Sequence, residues 1–441
     1  MKKILLLLNL AAMVLSCDVL DVEPYNAIPA DEAFQTSDDI EKGILGSYAP
    51  FQNLSYYGRT YGIFSDLAAD NLSHPIAATA TAYAQVDNNN ILPENGSISG
   101  IWASCYDGIN VANNVIDKLP GIEGMTEQEK NQARGELYFV RALNHFNLLN
   151  YFGGIPIKVE PTVGVGNLDA PRNSSAEVFD QIIEDLTFAA DNLMDPGDRS
   201  RASRFGAKAL LARVYLYKGD FSKAISMATE VISSGNYTLE DNYSIVFEEG
   251  SSESIFEISF SQLERNRIAE YNFPHSLNGR REVEPSTVLL DAYGSGDERF
   301  AASIAFEGTD AYAIKYDDIS LGADNFIVLR LAEMYLIRAE AEALLTTPEI
   351  SSIQDDINTI RARANLPPIT ESSIAALLTI IENERHLEFA FEGHRWFDLV
   401  RTGRAMELLP NVTSGNQTLF PIPLDELQTN NDPGMVQNPG Y

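Results

Sequence analysis

Cysteine is almost absent: Cys17 and Cys105 are the only two in 441 residues. A disulfide framework is thereby excluded as the source of stability, and if Cys17 is modified, Cys105 has no partner. Cys105 stands beside Trp102 and Tyr106 in a helix-like stretch and reads as a buried, inert thiol. Tryptophan is equally scarce, with Trp102 and Trp396 alone, so an aromatic contact surface must be built from Tyr and Phe. Basic residues are short as well, 31 Lys and Arg against 63 Asp and Glu, for a formal net charge of −32. A field of that sign repels nucleic acid and anionic membrane surfaces and favours solubility. It also disfavours a polyanionic ligand unless a local basic patch reverses it. After the first residues no apolar run approaches the ~20 residues needed to cross a bilayer as a helix. The chain also lacks a Gly-x-Ser-x-Gly elbow, a phosphate loop, a dinucleotide fingerprint and any His-x-x-x-His or His-Glu-x-x-His spacing. No pair of acids stands in a catalytic-loop context; Asp66 and Asp70, one helical turn apart, read as capping or loop-fixing groups. The expectation is a protein without catalysis, cofactor or metal.

What is present starts at the first residue. Lys2 and Lys3 precede an apolar core, residues 4–14, which has the form of a secretory signal. Ser16 directly before Cys17 is the form of a bacterial lipobox, in which residues 1–16 are removed and Cys17 carries the acyl chains. Several chains on one residue suffice to anchor a globular body stably, where a single chain does not. Residues 17–441 read as one domain attached to a membrane only through that lipid.

Apolar spacing of three and four predicts helices over 102–119, 129–151, 204–217, 221–233, 324–345 and 350–364. Residues 204–233 are the clearest pair: a helix, a Lys-Gly-Asp turn and a second helix, with Ala212, Ala224 and Ala228 allowing close approach. Consecutive antiparallel pairs of this kind predict a mainly α fold, a tetratricopeptide-like α-α superhelix. Between the pairs lie long excursions rich in Gly, Asn, Pro and aromatics, roughly 55–100 and 236–324, with a shorter one at 160–172. Loops of that length are usually functional or carry structure of their own.

Five ordered landmarks resemble the SusD/RagB family of nutrient-uptake outer-membrane lipoproteins. These are Cys17-Asp18-Val19-Leu20-Asp21 running to Pro24; Gly135-Glu136-Leu137-Tyr138-Phe139 running to Gly154-Ile155-Pro156; and Leu331-Ala332-Glu333-Met334-Tyr335. The fourth and most specific is Glu384-Arg385-His386-Leu387-Glu388 through Gly393-His394-Arg395-Trp396-Phe397-Asp398 to Arg401, with His386 standing where Arg is more usual. The last is Phe420-Pro421-Ile422-Pro423 followed by Asn438-Pro439-Gly440-Tyr441. The resemblance spans the whole chain. It implies a helical body with irregular excursions forming a ligand face, held at the outer surface of a Bacteroidetes-type outer membrane. It further implies capture of oligosaccharide, or sometimes peptide, and delivery to a TonB-dependent, SusC-like transporter. A protein-binding helical scaffold and a lipoprotein hydrolase are the competing readings.

Within the Glu384–Arg401 run, Glu388 and Glu392 share a helix face, and a break at Gly393 removes His394 from it. Glu388, Arg395, Trp396, Asp398 and Arg401 are therefore expected to be structural, through buried ion pairs, and not metal ligands. Sugars present C–H-rich faces that stack on rings and hydroxyls that bond amides and guanidiniums. Three clusters offer such groups: Tyr56, Tyr57, Tyr61 and Tyr83 with Asn88, Asn89 and Asn90; Tyr271, Phe273, His275, Asn278, Arg280 and Arg281; and Tyr312 with Tyr316. Tyr83, Asn88, Tyr271 and Arg280 are the ligand-contact candidates.

Overall fold

The structure, a computed structural model, describes residues 33–441 except Val163, Val165, Gly166 and Pro196. The signal segment and Cys17 lie outside the described residues.

The body is a sequence of helices in which each packs on the next. Helices Gly96–Lys118, Glu127–Phe152, Ser175–Asn192, Arg204–Lys218 and Phe221–Ile232 form the first run. Leu331–Ala343, Ile350–Arg363 and Ile374–Glu388 form the second. Local chemistry fixes the starts. Thr126 with Glu129 and Ser174 with Glu177 make capping boxes, and Ser203 accepts from the Gly206 N–H at 2.9 Å. The Lys-Gly-Asp turn is where the sequence puts it, with Gly219 left-handed at φ 84° ending its helix. Ala212, Ala224 and Ala228 are fully buried between the paired helices.

Phe221–Ile232 packs directly on Leu331–Ala343, so the array closes across the second excursion as if it were absent. Polar clamps cross the same seams. Arg213 grips Glu333 at 2.6 Å and the Val328 carbonyl at 2.6 Å. Arg141 pairs with Asp185 through Nε at 2.8 Å and reaches Asn113 at 2.9 Å, joining three helices.

Residues 324–330 are not helical. Phe326–Arg330 is a fully buried strand, antiparallel to Ser254–Ile258 with Phe256 opposite Leu329. Apolar residues on both faces, including two β-branched ones, satisfy a buried strand as well as a helix, and pairing across the sheet decides the matter. Residues 55–100 are not one loop either, because helices Thr60–Leu67 and Thr81–Asp87 lie inside them. Residues 236–324 hold short helices and a hairpin, Ile304–Glu307 with Asp310–Ala313. The two excursions are joined to each other by a two-residue antiparallel ladder, Leu72–Ser73 with Glu284–Pro285. That ladder creates the seam on which the candidate site lies.

Candidate functional site

The seam brings three of the four ligand-contact candidates together. Tyr83, on helix Thr81–Asp87, stacks on Tyr271, on helix Ile268–Asn272, with ring centroids 5.6 Å apart and planes 29° apart. Arg280 lies over the Tyr271 ring, its guanidinium carbon 5.0 Å from the centroid. A tight reversal puts it there: the Arg280 N–H donates to the Glu270 carbonyl at 2.6 Å, and the Glu282 N–H donates to the Tyr271 carbonyl at 2.8 Å. Gly279 sits at the crossing, where a Cβ would stand 1.9 Å from the Phe273 carbonyl oxygen, so no other residue fits without moving the turn.

The fourth candidate is elsewhere. Asn88 caps the end of its helix, donating to the Ala84 carbonyl at 2.7 Å, and makes no hydrogen bond to the other three. Arg59 takes a place that the sequence did not single out. Its guanidinium carbon lies 4.3 Å from the Tyr271 centroid, and Nη1 donates to the Tyr271 hydroxyl at 2.7 Å. The only sequence signal was its position directly after Tyr56-Tyr57-Gly58.

The rings are not open platforms. Tyr83 is 3% exposed and Tyr271 is 7% exposed, whereas the Arg280 side chain is 49% exposed. The arginines form the outer layer and the tyrosines the layer beneath. Tyr56, Tyr57 and Tyr61, expected in this cluster, belong to the core instead. They pack on one another, and their hydroxyls bond Asn144 and Asn147. Polar partners supplied by a helix passing beneath allow tyrosines to be buried. Of the remaining aromatics, Phe273 meets Tyr312 edge-on at 4.7 Å, and Tyr316 stacks on Phe326 inside the core.

A short loop borders the seam. Glu282 accepts from the Thr79 and Ala80 N–H groups, each at 3.0 Å, and from the Thr79 hydroxyl at 3.1 Å. Burial works to raise the Glu282 pKa, but these donors outweigh it and hold the carboxyl below its ordinary range. The latch presents Ile76 fully exposed within the loop.

The C-terminal motif lies behind the seam as buried charge. Arg330 donates to Glu253 at 2.7 Å, to Glu388 at 2.7 Å and to Glu392 at 2.6 Å, and Glu388 also meets Arg299 and Arg363. Lys315 bonds Glu392 at 2.7 Å; burial pulls its ammonium down to about 8 against the pull of that carboxylate. Asp398 is held by Arg385 at 2.8 Å and Arg401 at 2.9 Å, and Arg395 pairs with Asp70 at 2.6 Å. Trp396 is fully buried. The helix ends at Glu388, five residues before Gly393, so Glu388 and Glu392 share no helix face and converge on Arg330 across a turn. Asp66 accepts from the Gly393 N–H at 3.2 Å, fixing that turn. Among the described residues no group of three or more His, Cys, Asp and Glu is placed to hold a metal ion.

The histidines of this region are neutral. Burial, reinforced by Arg395, pulls His386 down to about 4, and burial with Arg213 pulls His394 far below its ordinary value. A histidine with a depressed folded pKa gives stability that is complete above about 6.5, its unfolded value, and lost as pH falls towards the folded value. His386→Gln should therefore flatten the loss between pH 6.5 and pH 4, with about 2 kcal/mol of relative gain at pH 5. Urea titrations of both proteins across that range check this; parallel curves would contradict a neutral buried His386. Cys105 is fully buried, and burial pushes its thiol up to about 12, which leaves it without nucleophilic character.

Two family models match the sequence, one described as "Starch-binding associating with outer membrane" over residues 18–216 and one as "SusD family" over residues 311–418. "SusD-like protein P2" of Formosa agariphila is 27% identical, with 99% of this chain and 98% of that one aligned. Among solved structures, a SusD superfamily protein from Bacteroides vulgatus superposes with a TM-score of 0.84 at 22% identity, covering 92% of this chain and 99% of that one. A "Laminarin binding SusD-like protein" superposes with a TM-score of 0.81 at 27% identity, covering 92% and 100%. With both models matched in chain order, relatives aligned end to end and the helical-pair architecture shared, the chain is SusD-like along its length.

Proposed function

We propose that this protein binds oligosaccharide at the cell surface without cleaving it and passes it to a TonB-dependent, SusC-like outer-membrane transporter. Cys17 is its lipid anchor, and residues 17–441 act as one unit. The observation that carries the reading is the seam between the two excursions, where Tyr271, stacked on Tyr83, lies against the guanidiniums of Arg59 and Arg280. The buried rings hold the guanidiniums in place, and planar donors so held are what a sugar's hydroxyls require. The starch-binding description of the matching family and the laminarin-binding relative support the same class of ligand. The helical array, rigid and closed behind the seam, is the surface offered to the transporter.

The test is calorimetry of the purified protein against a broad set of oligosaccharides and peptides, with reducing ends assayed after prolonged incubation. Binding of at least one oligosaccharide with no new reducing ends is expected. Binding of peptides alone, or steady release of reducing sugar, would replace this reading with a peptide receptor or a hydrolase.

A further inference from the structure

We infer that the seam selects glycans bearing an acidic substituent, a uronate carboxylate or a sulfate ester, with Arg59 and Arg280 as the groups that receive it. This inference rests on the reading above and names the ligand class of the same site.

Unpaired donors carry the inference. The chain carries twice as many acids as bases, yet the carboxylates at this seam are occupied. Glu270 is held by Arg267 through Nε at 2.5 Å and Nη2 at 2.6 Å. Glu282 is committed to the Thr79 and Ala80 backbone, and Glu284 and Asp310 to Arg281. Arg59 is left with the Tyr271 hydroxyl at 2.7 Å and two long contacts to the Thr60 hydroxyl at 3.4 Å, with no carboxylate partner among the described residues. Arg280 makes no side-chain hydrogen bond among the described residues; its nearest carboxylate oxygen, on Glu270, is 3.9 Å away and already engaged.

Both guanidiniums lie against the same ring. The half-exposed Arg280 guanidinium keeps its N–H groups unbonded among the described residues, and the paired N–H groups of a guanidinium match the two oxygens of a carboxylate or sulfate; Arg59, whose Nε and Nη2 face the Thr60 hydroxyl, adds its positive charge beside it. The ring also limits the rotamers each arginine can take, so little freedom remains to be lost when a ligand binds. A neutral sugar would use these donors one hydroxyl at a time; an acidic one uses them in pairs. The molecule's overall negative field opposes such a ligand at long range, so recognition depends on these two residues at short range.

The experiment measures affinity of the purified protein for oligogalacturonate, for κ-carrageenan oligosaccharide and for laminarihexaose, at about 50 mM and about 500 mM salt. At least one acidic probe is expected to bind about tenfold more tightly than the neutral one and to weaken at high salt. Arg280→Gln, a substitution at a half-exposed side chain that should leave folding intact, is expected to remove most of that preference. Lys42→Gln, on another element, serves as the control and should not alter it. The winning acidic probe distinguishes carboxylate from sulfate. Equal or tighter binding of laminarihexaose, insensitive to salt and to Arg280→Gln, would overturn the acidic class while leaving glycan capture standing. No binding of any probe, within the broader set as well, would remove both.

Discussion

Arg330→Ala is expected to destabilise the fold by about 3–5 kcal/mol, the cost of removing one partner from a buried ionic network. Arg330 is 2% exposed and touches Glu253, Glu388 and Glu392, themselves nearly or wholly buried. Without it, Arg363 and Arg299 remain for Glu388, and Lys315 alone faces Glu392. Burial works to raise the Glu388 pKa, and Arg363, Arg330 and Arg299 together hold it well below the carboxylate range instead. Loss of one of the three returns part of that burial penalty to a charge with no route to water. Arg330→Met should fare no better, because it restores volume but not charge. Arg330→Lys should be intermediate, since a single ammonium cannot serve three carboxylates arranged around a planar fork. Urea denaturation followed by far-UV circular dichroism measures the three variants. A midpoint for Arg330→Ala within experimental error of the wild-type value would show that the network adds nothing to the fold.

Cys17→Ser is expected to make the protein's hold on the membrane removable by a carbonate wash. A body with no helix long and apolar enough to cross a membrane among its described residues, and with a formal charge of −32, is repelled by an anionic surface, so attachment left after loss of the lipid would run through the transporter alone. Attachment by several acyl chains, by contrast, withstands washing with salt or carbonate. Fractionation of cells producing either form, with mass spectrometry of the mature N-terminus, tests this. A Cys17→Ser protein that remains in the membrane fraction after a carbonate wash, or an unacylated wild-type N-terminus, would remove the anchor from the proposal and leave the ligand site unaffected.

The helical body was readable because its periodicity is strong and its turns carry distinctive residues. The helices at 127–152, 204–218 and 221–232 follow from apolar spacing and from the Lys-Gly-Asp turn with Gly219 at a helix end, whereas helix Ser175–Asn192 was not read from the sequence. Residues 326–330 escaped that reading because an apolar run without polar alternation is silent about period, and its partner strand lies some seventy residues upstream. The candidate site was half legible for a related reason. Composition can mark tyrosines in an irregular stretch, but their depth depends on what passes beneath them. Asn144 and Asn147 draw Tyr56, Tyr57 and Tyr61 inwards, and two arginines cover Tyr271. Arg59 was invisible because its role comes from a contact more than two hundred residues distant in sequence.

The second excursion can be bypassed by the array, since the helices on either side of it meet directly, and it therefore looks exchangeable between relatives. It is not a free cassette. Glu253, Arg299 and Lys315 arise within it and meet Arg330, Arg363, Glu384, Glu388 and Glu392 of the C-terminal part. A chimaera that imports a relative's excursion must bring matching charges at those three places, or it strands acids and bases in a dry interior. Diversification of the ligand face is in this way tied to an internal password, and loops that differ freely at their tips must agree at their roots.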